Sequence, residues 1–191
     1  MNLRKSLTLV TVSIALGGGV ALAAPAAQAG QPAFQGQATD SGLSASEATE
    51  LQSTIDALLA KEGGKQTAAN EISYADGRLL VPLPGEKYVR ELNGSRAAGT
   101  ADTARHTCTY KRLCGYSGRN YTGQEREWYQ CNVLYKKPSA WRSGGSWYNN
   151  QTQGRQGSWY DYNKRFIKHT PPAPYPAPRG NWAPVGYVKA C

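Results

Sequence analysis

Apolar positions follow two different periods along the chain. Between residues 44 and 61, Leu51, Ile55, Leu58 and Leu59 recur at the spacing of one helix face. Ser44 and Glu47 precede that run at the spacing of a capping box, and Gly63-Gly64 follows it, so the pattern predicts one amphipathic helix over 44–61. Strict alternation then takes over in Glu71-Ile-Ser-Tyr74 and again at Leu79, Val81 and Leu83, with Asp76-Gly77 as the hairpin turn between them. Pro82 has no N–H for a neighbouring strand, which places the second strand at a sheet edge. After Cys108 the texture is one of Tyr- and Trp-rich strands punctuated by glycine, expected at 112–116, 124–133, 145–151 and 156–162. Alternation in the second of these puts Trp128 and Tyr129 on opposite faces.

The remaining stretches lack a period. Residues 1–29 have Arg4 and Lys5, an apolar run from Leu7 to Leu22 and the small-residue end Ala27-Gln28-Ala29, and read as a signal peptide cleaved after Ala29. Residues 30–43 are polar and are expected to be a disordered leader. The helix and hairpin of 44–92 bury too little to stand alone and read as a cap or a propeptide, and 93–107 is a linker by composition. The tail over 170–184 carries six prolines with Tyr175 and Trp182 among them, a density that excludes helix and inner strand. Because the chain ends in Cys191, this tail is expected to be pinned back on the basic domain of 108–191.

Charge separates the two parts further. Without the signal segment the net charge is +7, made of −4 over residues 30–104 and +11 over 105–191. All four cysteines and all five tryptophans lie in the basic part. An even cysteine count in a small exported domain implies disulfides, with three possible pairings. Cys108 and Cys114 are near enough to clip a short loop, which would leave Cys131 for Cys191; the connectivity itself stays open. Chain entropy assigns about 2 kcal/mol to such a short loop and about 4 kcal/mol to the long one. The cysteine spacings contain no C-x₂-C, and His106 and His169 have no ligand-like partner, so no metal and no cofactor is expected. The same two histidines, with Lys111 or Lys168, form no convincing acid–base set, and the protein is not expected to be an enzyme.

The chemistry that stands out is cationic and aromatic. Arg119, Arg126, Lys136, Lys137 and Arg142 alternate with Trp128 and Trp141, a composition suited to polyanions, whose charges meet the cations while flat rings stack on the aromatics. Nucleic acid is one such polyanion, though no motif supports it.

The stretch from Leu113 to Gly123 resembles the βγ-crystallin Greek-key motif, with an aromatic at Tyr116, a second at Tyr121 and a glycine at Gly123. Ser146 falls where that family has a serine hydrogen-bonded over the folded hairpin. Within the superfamily the chain is most similar to the secreted bacterial metalloproteinase inhibitors, which often carry a short Cys-to-Cys clip ahead of the hairpin, as Cys108 and Cys114 would. The resemblance implies a mainly β fold: a disulfide-bonded Greek-key domain preceded by a small α+β segment. It also implies a secreted, peptidase-inhibitor-like binder of an extracellular protease. The alternative is a cationic module for an anionic cell-wall polymer without inhibitory activity.

The chain departs from the family pattern in three places. A second motif opens at Gly157-Ser-Trp-Tyr-Asp161, but Arg165 stands where an aromatic belongs and no glycine follows. Some other piece, whether the 44–83 segment, the proline tail or a second molecule, must then complete the second sheet. The run Trp141-Arg-Ser-Gly-Gly-Ser146 offers no carboxylate for the family's calcium site. Cys131 and Cys191 form no second short loop.

Overall fold

The computed structural model describes residues 31–92 and 108–191. The residues expected to form a signal peptide and a linker, including His106, lie outside the described residues. Two helices, α1 (Gln31–Asp40) and α2 (Ala45–Glu62), lead into β1 (Lys65–Ala68), β2 (Glu71–Tyr74) and β3 (Gly77–Leu80). The basic part adds β4 (Arg112–Tyr116), β5 (Glu125–Trp128), β6 (Leu134–Lys136), β7 (Gly144–Asn150), β8 (Ser158–Tyr160), β9 (Phe166–His169), β10 (Tyr175–Asn181) and β11 (Tyr187–Lys189). The fold is mainly β, with two sheets whose strands all pair antiparallel.

The first sheet runs β1-β2-β3-β5-β4-β7-β10 and the second β6-β11-β8-β9. Each run of four strands in the basic part therefore sends its third strand to the other sheet: β6 leaves β4, β5 and β7, and β10 leaves β8, β9 and β11. The second run is complete in strands although its sequence lacks the aromatic and the glycine of the first. Its hairpin is closed by Asp161, whose carboxylate accepts from the N–H groups of Asn163 and Arg165, both at 2.8 Å. The proline tail supplies β10, and β11 follows it to complete the second run. Pro176 and Pro178 lie in β10, which pairs only with β7 and ends the sheet, where a missing N–H is tolerated.

The helix–hairpin segment is continuous with this sheet. β3 pairs with β5 from Gly77↔Trp128 to Leu80↔Glu125. Here the structure corrects the expectation that β3 is an edge: the strand stops at Leu80, ahead of Pro82, so the proline removes nothing from the ladder. Leu51 and Ile55 of α2 share one core with Ile72, Leu79, Trp128 and Trp159. At the joint, Arg78 Nε bonds Glu127 Oε2 at 3.0 Å and Arg126 Nη2 bonds Asp76 Oδ1 at 3.0 Å.

Two further expectations are corrected. The leader is not disordered throughout, since it carries α1. Phe34 and Ala38, four residues apart, pack against the core, and Gln37 accepts from the N–H of Ala69 while donating to Leu92 O. Tertiary contacts hold this helix, and its polar sequence does not announce it. The strand expected over 124–133 is cut short: β5 stops at Trp128, and the next strand, β6, begins only at Leu134 and in the other sheet. The turn between them has Asn132 at φ 62°, donating its N–H to Cys191 O at 2.9 Å, beside the Cys131–Cys191 disulfide. Among the described residues no helix is long and apolar enough to cross a membrane.

Since all five tryptophans lie in the basic part, their fluorescence follows the unfolding of that part. Leu79→Ala in β3 should lower stability by about 2–5 kcal/mol, and the tryptophan transition in urea should move with it. A tryptophan transition that stays in place would show that the two parts unfold independently.

Candidate functional site

Cys108 and Cys114 are disulfide-bonded and clip a tight turn. Arg112 N–H donates to Thr109 O at 3.1 Å, and Lys111, at φ 68°, donates its N–H to Asn150 O at 2.8 Å. Asn150 Nδ2 returns a bond to Cys108 O at 2.7 Å. A covalent link and three hydrogen bonds thus fix the backbone, while the side chains stay free: Tyr110 is 59% exposed and Lys111 is exposed. Beside them the Arg112 guanidinium lies over the Tyr129 ring, 4.1 Å from its centre.

The hairpin that follows is closed from within. Tyr116 is buried, its OH donates to Glu125 Oε1 at 3.2 Å, and its ring meets Tyr121 edge to face at 5.3 Å. Ser146 Oγ donates to Gly118 O at 2.7 Å and accepts from Tyr121 N–H at 2.8 Å, so one buried hydroxyl ties both arms of the hairpin to β7. Gly123 has φ +76°, and a Cβ there would collide with Ser117 Oγ. These four residues are brought together, and they are architectural: each of their polar bonds is made within the protein.

The five candidate binding cations do not form one surface. Arg119, Lys136 and Arg142 are exposed. Arg126 and Lys137 are buried, which corrects their assignment as binding residues. Arg126 is held by Asp76 and lies over the Tyr74 ring at 4.0 Å. Lys137 donates through Nζ to Pro138 O at 3.1 Å and to Trp141 O, which closes the loop ahead of β7. Burial, and after it the charge of Arg142, push its pKa down to about 8.

A concave site absent from the sequence expectations lies between β9 of the second sheet and β10 of the first. It is a groove of about 510 Å³ with Trp147, Trp159 and Trp182 beneath it, Ile167 and Lys168 on one wall and Tyr175 and Arg179 on the other. Both walls carry a register irregularity, which bends strands away from a regular ladder. The only signal in the sequence was Tyr175 within the proline run, too isolated to read without its neighbours.

Other clusters resolve as structure. Cys108, Cys114 and Glu125 are close together, but the two sulfurs are bonded to each other and are not free as ligands. Ser158 Oγ and His169 Nδ1 lie 2.9 Å apart as a cross-strand pair, and no carboxylate among the described residues bonds the histidine to complete a catalytic set. No family model, curated protein or solved structure matches the chain.

Ser146→Ala removes the buried hydroxyl shared by Tyr121 N–H and Gly118 O and should cost about 1–3 kcal/mol, read from the urea midpoint; a loss below about 0.5 kcal/mol would mean the hairpin closes without its latch. Lys137 titrates near 8 when folded against an ordinary 10.5. Between these values the unfolded chain holds more protons, so stability at this site rises with pH. The wild type should therefore gain thermal stability relative to Lys137→Met between about pH 7.5 and about pH 10. A gap moving the other way would show that the two carbonyls keep the ammonium charged.

Proposed function

We propose that the chain is a small secreted cationic protein of the βγ-crystallin Greek-key type that binds an extracellular protease. The exchange of third strands between β4–β7 and β8–β11 supports that fold reading, because two interlocked four-stranded units are what a pair of such motifs builds. Two disulfides suit an oxidising compartment and agree with the signal-like residues 1–29.

The observation that carries the binding role is the Tyr110–Lys111 turn. Tyrosine and arginine dominate the energetics of protein interfaces, and a support that is already rigid loses little entropy on binding. Here Tyr110, Lys111 and Arg112 are presented on a backbone fixed by a disulfide and by Asn150, with the Arg112 guanidinium over the Tyr129 ring. Lys111 at positive φ keeps the turn out of the extended form in which proteases hold a scissile segment. The contact is therefore one of side chains against an acidic surface, and the turn is not a substrate mimic. The groove between β9 and β10, with the +11 charge of residues 105–191, favours a second reading, a module for an anionic cell-wall polymer.

Incubated with a panel of secreted metallo- and serine proteases, the full chain should inhibit at about micromolar concentration, and Tyr110→Ala should raise Ki about tenfold or more. Digestion of the chain, or no inhibition across the panel at that concentration, would remove the proposal.

A further inference from the structure

The groove between β9 and β10 carries a more specific assignment, which rests on the second reading and shares no residue with the Tyr110–Lys111 turn. We infer that it is a binding site for an anionic polysaccharide, a polymer of sugar rings bearing carboxylate or sulfate groups.

Its size, about 510 Å³, lies within the range of ligand sites, about 300–1,000 Å³. The charged groups around it are all cationic. Lys168 and Arg179 stand on opposite walls, and no acidic residue lines the groove. Asn181 uses its Oδ1 to accept from Ala183 N–H at 3.0 Å, which leaves its amide NH₂ to donate. Two indoles add to this set. Trp182 donates to Tyr116 O at 2.7 Å and Trp141 to Gln124 Oε1 at 3.0 Å, whereas the N–H groups of Trp147 and Trp159 meet no acceptor among the described residues. Trp147 and Trp159 are only 8% and 2% exposed, yet their indole nitrogens are not sealed from solvent as that of Trp128 is. A buried indole usually finds a partner. A ligand rich in hydroxyl and anionic oxygens would supply acceptors for all of these donors.

The aromatic geometry separates a sugar from other polyanions. Tyr175 stacks on Trp147 at 5.5 Å with an interplanar angle of 24°, and it is 41% exposed, so it offers one flat ring on a rigid backing. A single platform suits the apolar face of a sugar. A nucleic-acid strand is held by successive platforms, and among the lining residues only Tyr175 presents an exposed aromatic ring. An acidic peptide would engage the cations without needing Tyr175.

The test measures binding of the full chain to polygalacturonate, dextran sulfate, neutral dextran, polyglutamate and single-stranded DNA across a salt series. Binding to either anionic polysaccharide, with neutral dextran far weaker, is the expected pattern; comparing the two tells carboxylate from sulfate as the preferred group. Tyr175→Ala should weaken that binding about tenfold and leave polyglutamate unaffected. Lys168→Gln with Arg179→Gln should flatten the salt dependence, and Tyr110→Ala should change neither. Thermal midpoints near the wild type confirm that the variants fold. The assignment is overturned if neutral dextran binds equally, if polyglutamate or DNA binds best, or if the groove variants retain wild-type affinity for both anionic polysaccharides. Protease inhibition measured on the same variants is lost only through Tyr110, which keeps the two sites' outcomes apart.

Discussion

Five indoles in mutual contact hold the two sheets together. Trp141 and Trp128 meet edge to face at 6.4 Å, Trp128 and Trp182 at 6.4 Å, Trp182 and Trp159 at 5.4 Å, and Trp159 and Trp147 at 5.6 Å. Trp128 and Trp147 belong to the first sheet and Trp159 to the second, while Trp141 and Trp182 come from loops. Rings of this size bury much area each and prefer tilted contacts, so a small domain can build its core from a few of them. The backbone must make room: a Cβ on Gly145 would collide with Trp182, whose indole N–H bonds Tyr116 O just beside it. The chain of rings thereby links the Tyr116 hairpin, the exchanged strands and the proline tail, and Trp147 at its end becomes the backing of the groove.

The joint between acidic and basic parts follows a related logic. The −4 and +11 halves meet along β3 and β5, where Arg78 faces Glu127 and Arg126 faces Asp76. These pairs are largely desolvated, and removing one partner would strand a buried charge. A strand ladder, a shared apolar core and paired charges tie residues 44–92 to the rest of the fold, with β1, β2 and β3 in its first sheet. Whatever their role in biosynthesis, they cover the β5 edge, which would otherwise be open to another chain.

The sites were unevenly legible. The hairpin of Tyr116, Tyr121 and Gly123 could be named in advance because its backbone freedom is a local property, whereas Ser146, 25 residues beyond Tyr121, could be named only through the resemblance to the Greek-key motif. The binding cations could not be sorted. Arg126 and Lys137 occur in the same aromatic context as Arg119 and Arg142, and only the arrival of Asp76 on one and of two carbonyls on the other withdraws them from the surface. The groove was invisible, since its walls come from β9 and β10, its base from β7 and β8, and neither wall has a pattern of its own.

By itself the sequence determined what depends on short spans: the capped helix α2 with its Ser44–Glu47 box, the β2–β3 hairpin, the Tyr116 hairpin and the short reach from Cys108 to Cys114. Propensity, capping and steric freedom act within a few residues, so they can be read there. Tertiary structure decided which strands pair with which, that β3 is interior, that α1 forms, that prolines end one sheet, and where charge is buried or offered. Those outcomes turn on burial and on partners far apart in the chain, and local pattern does not encode a distant partner.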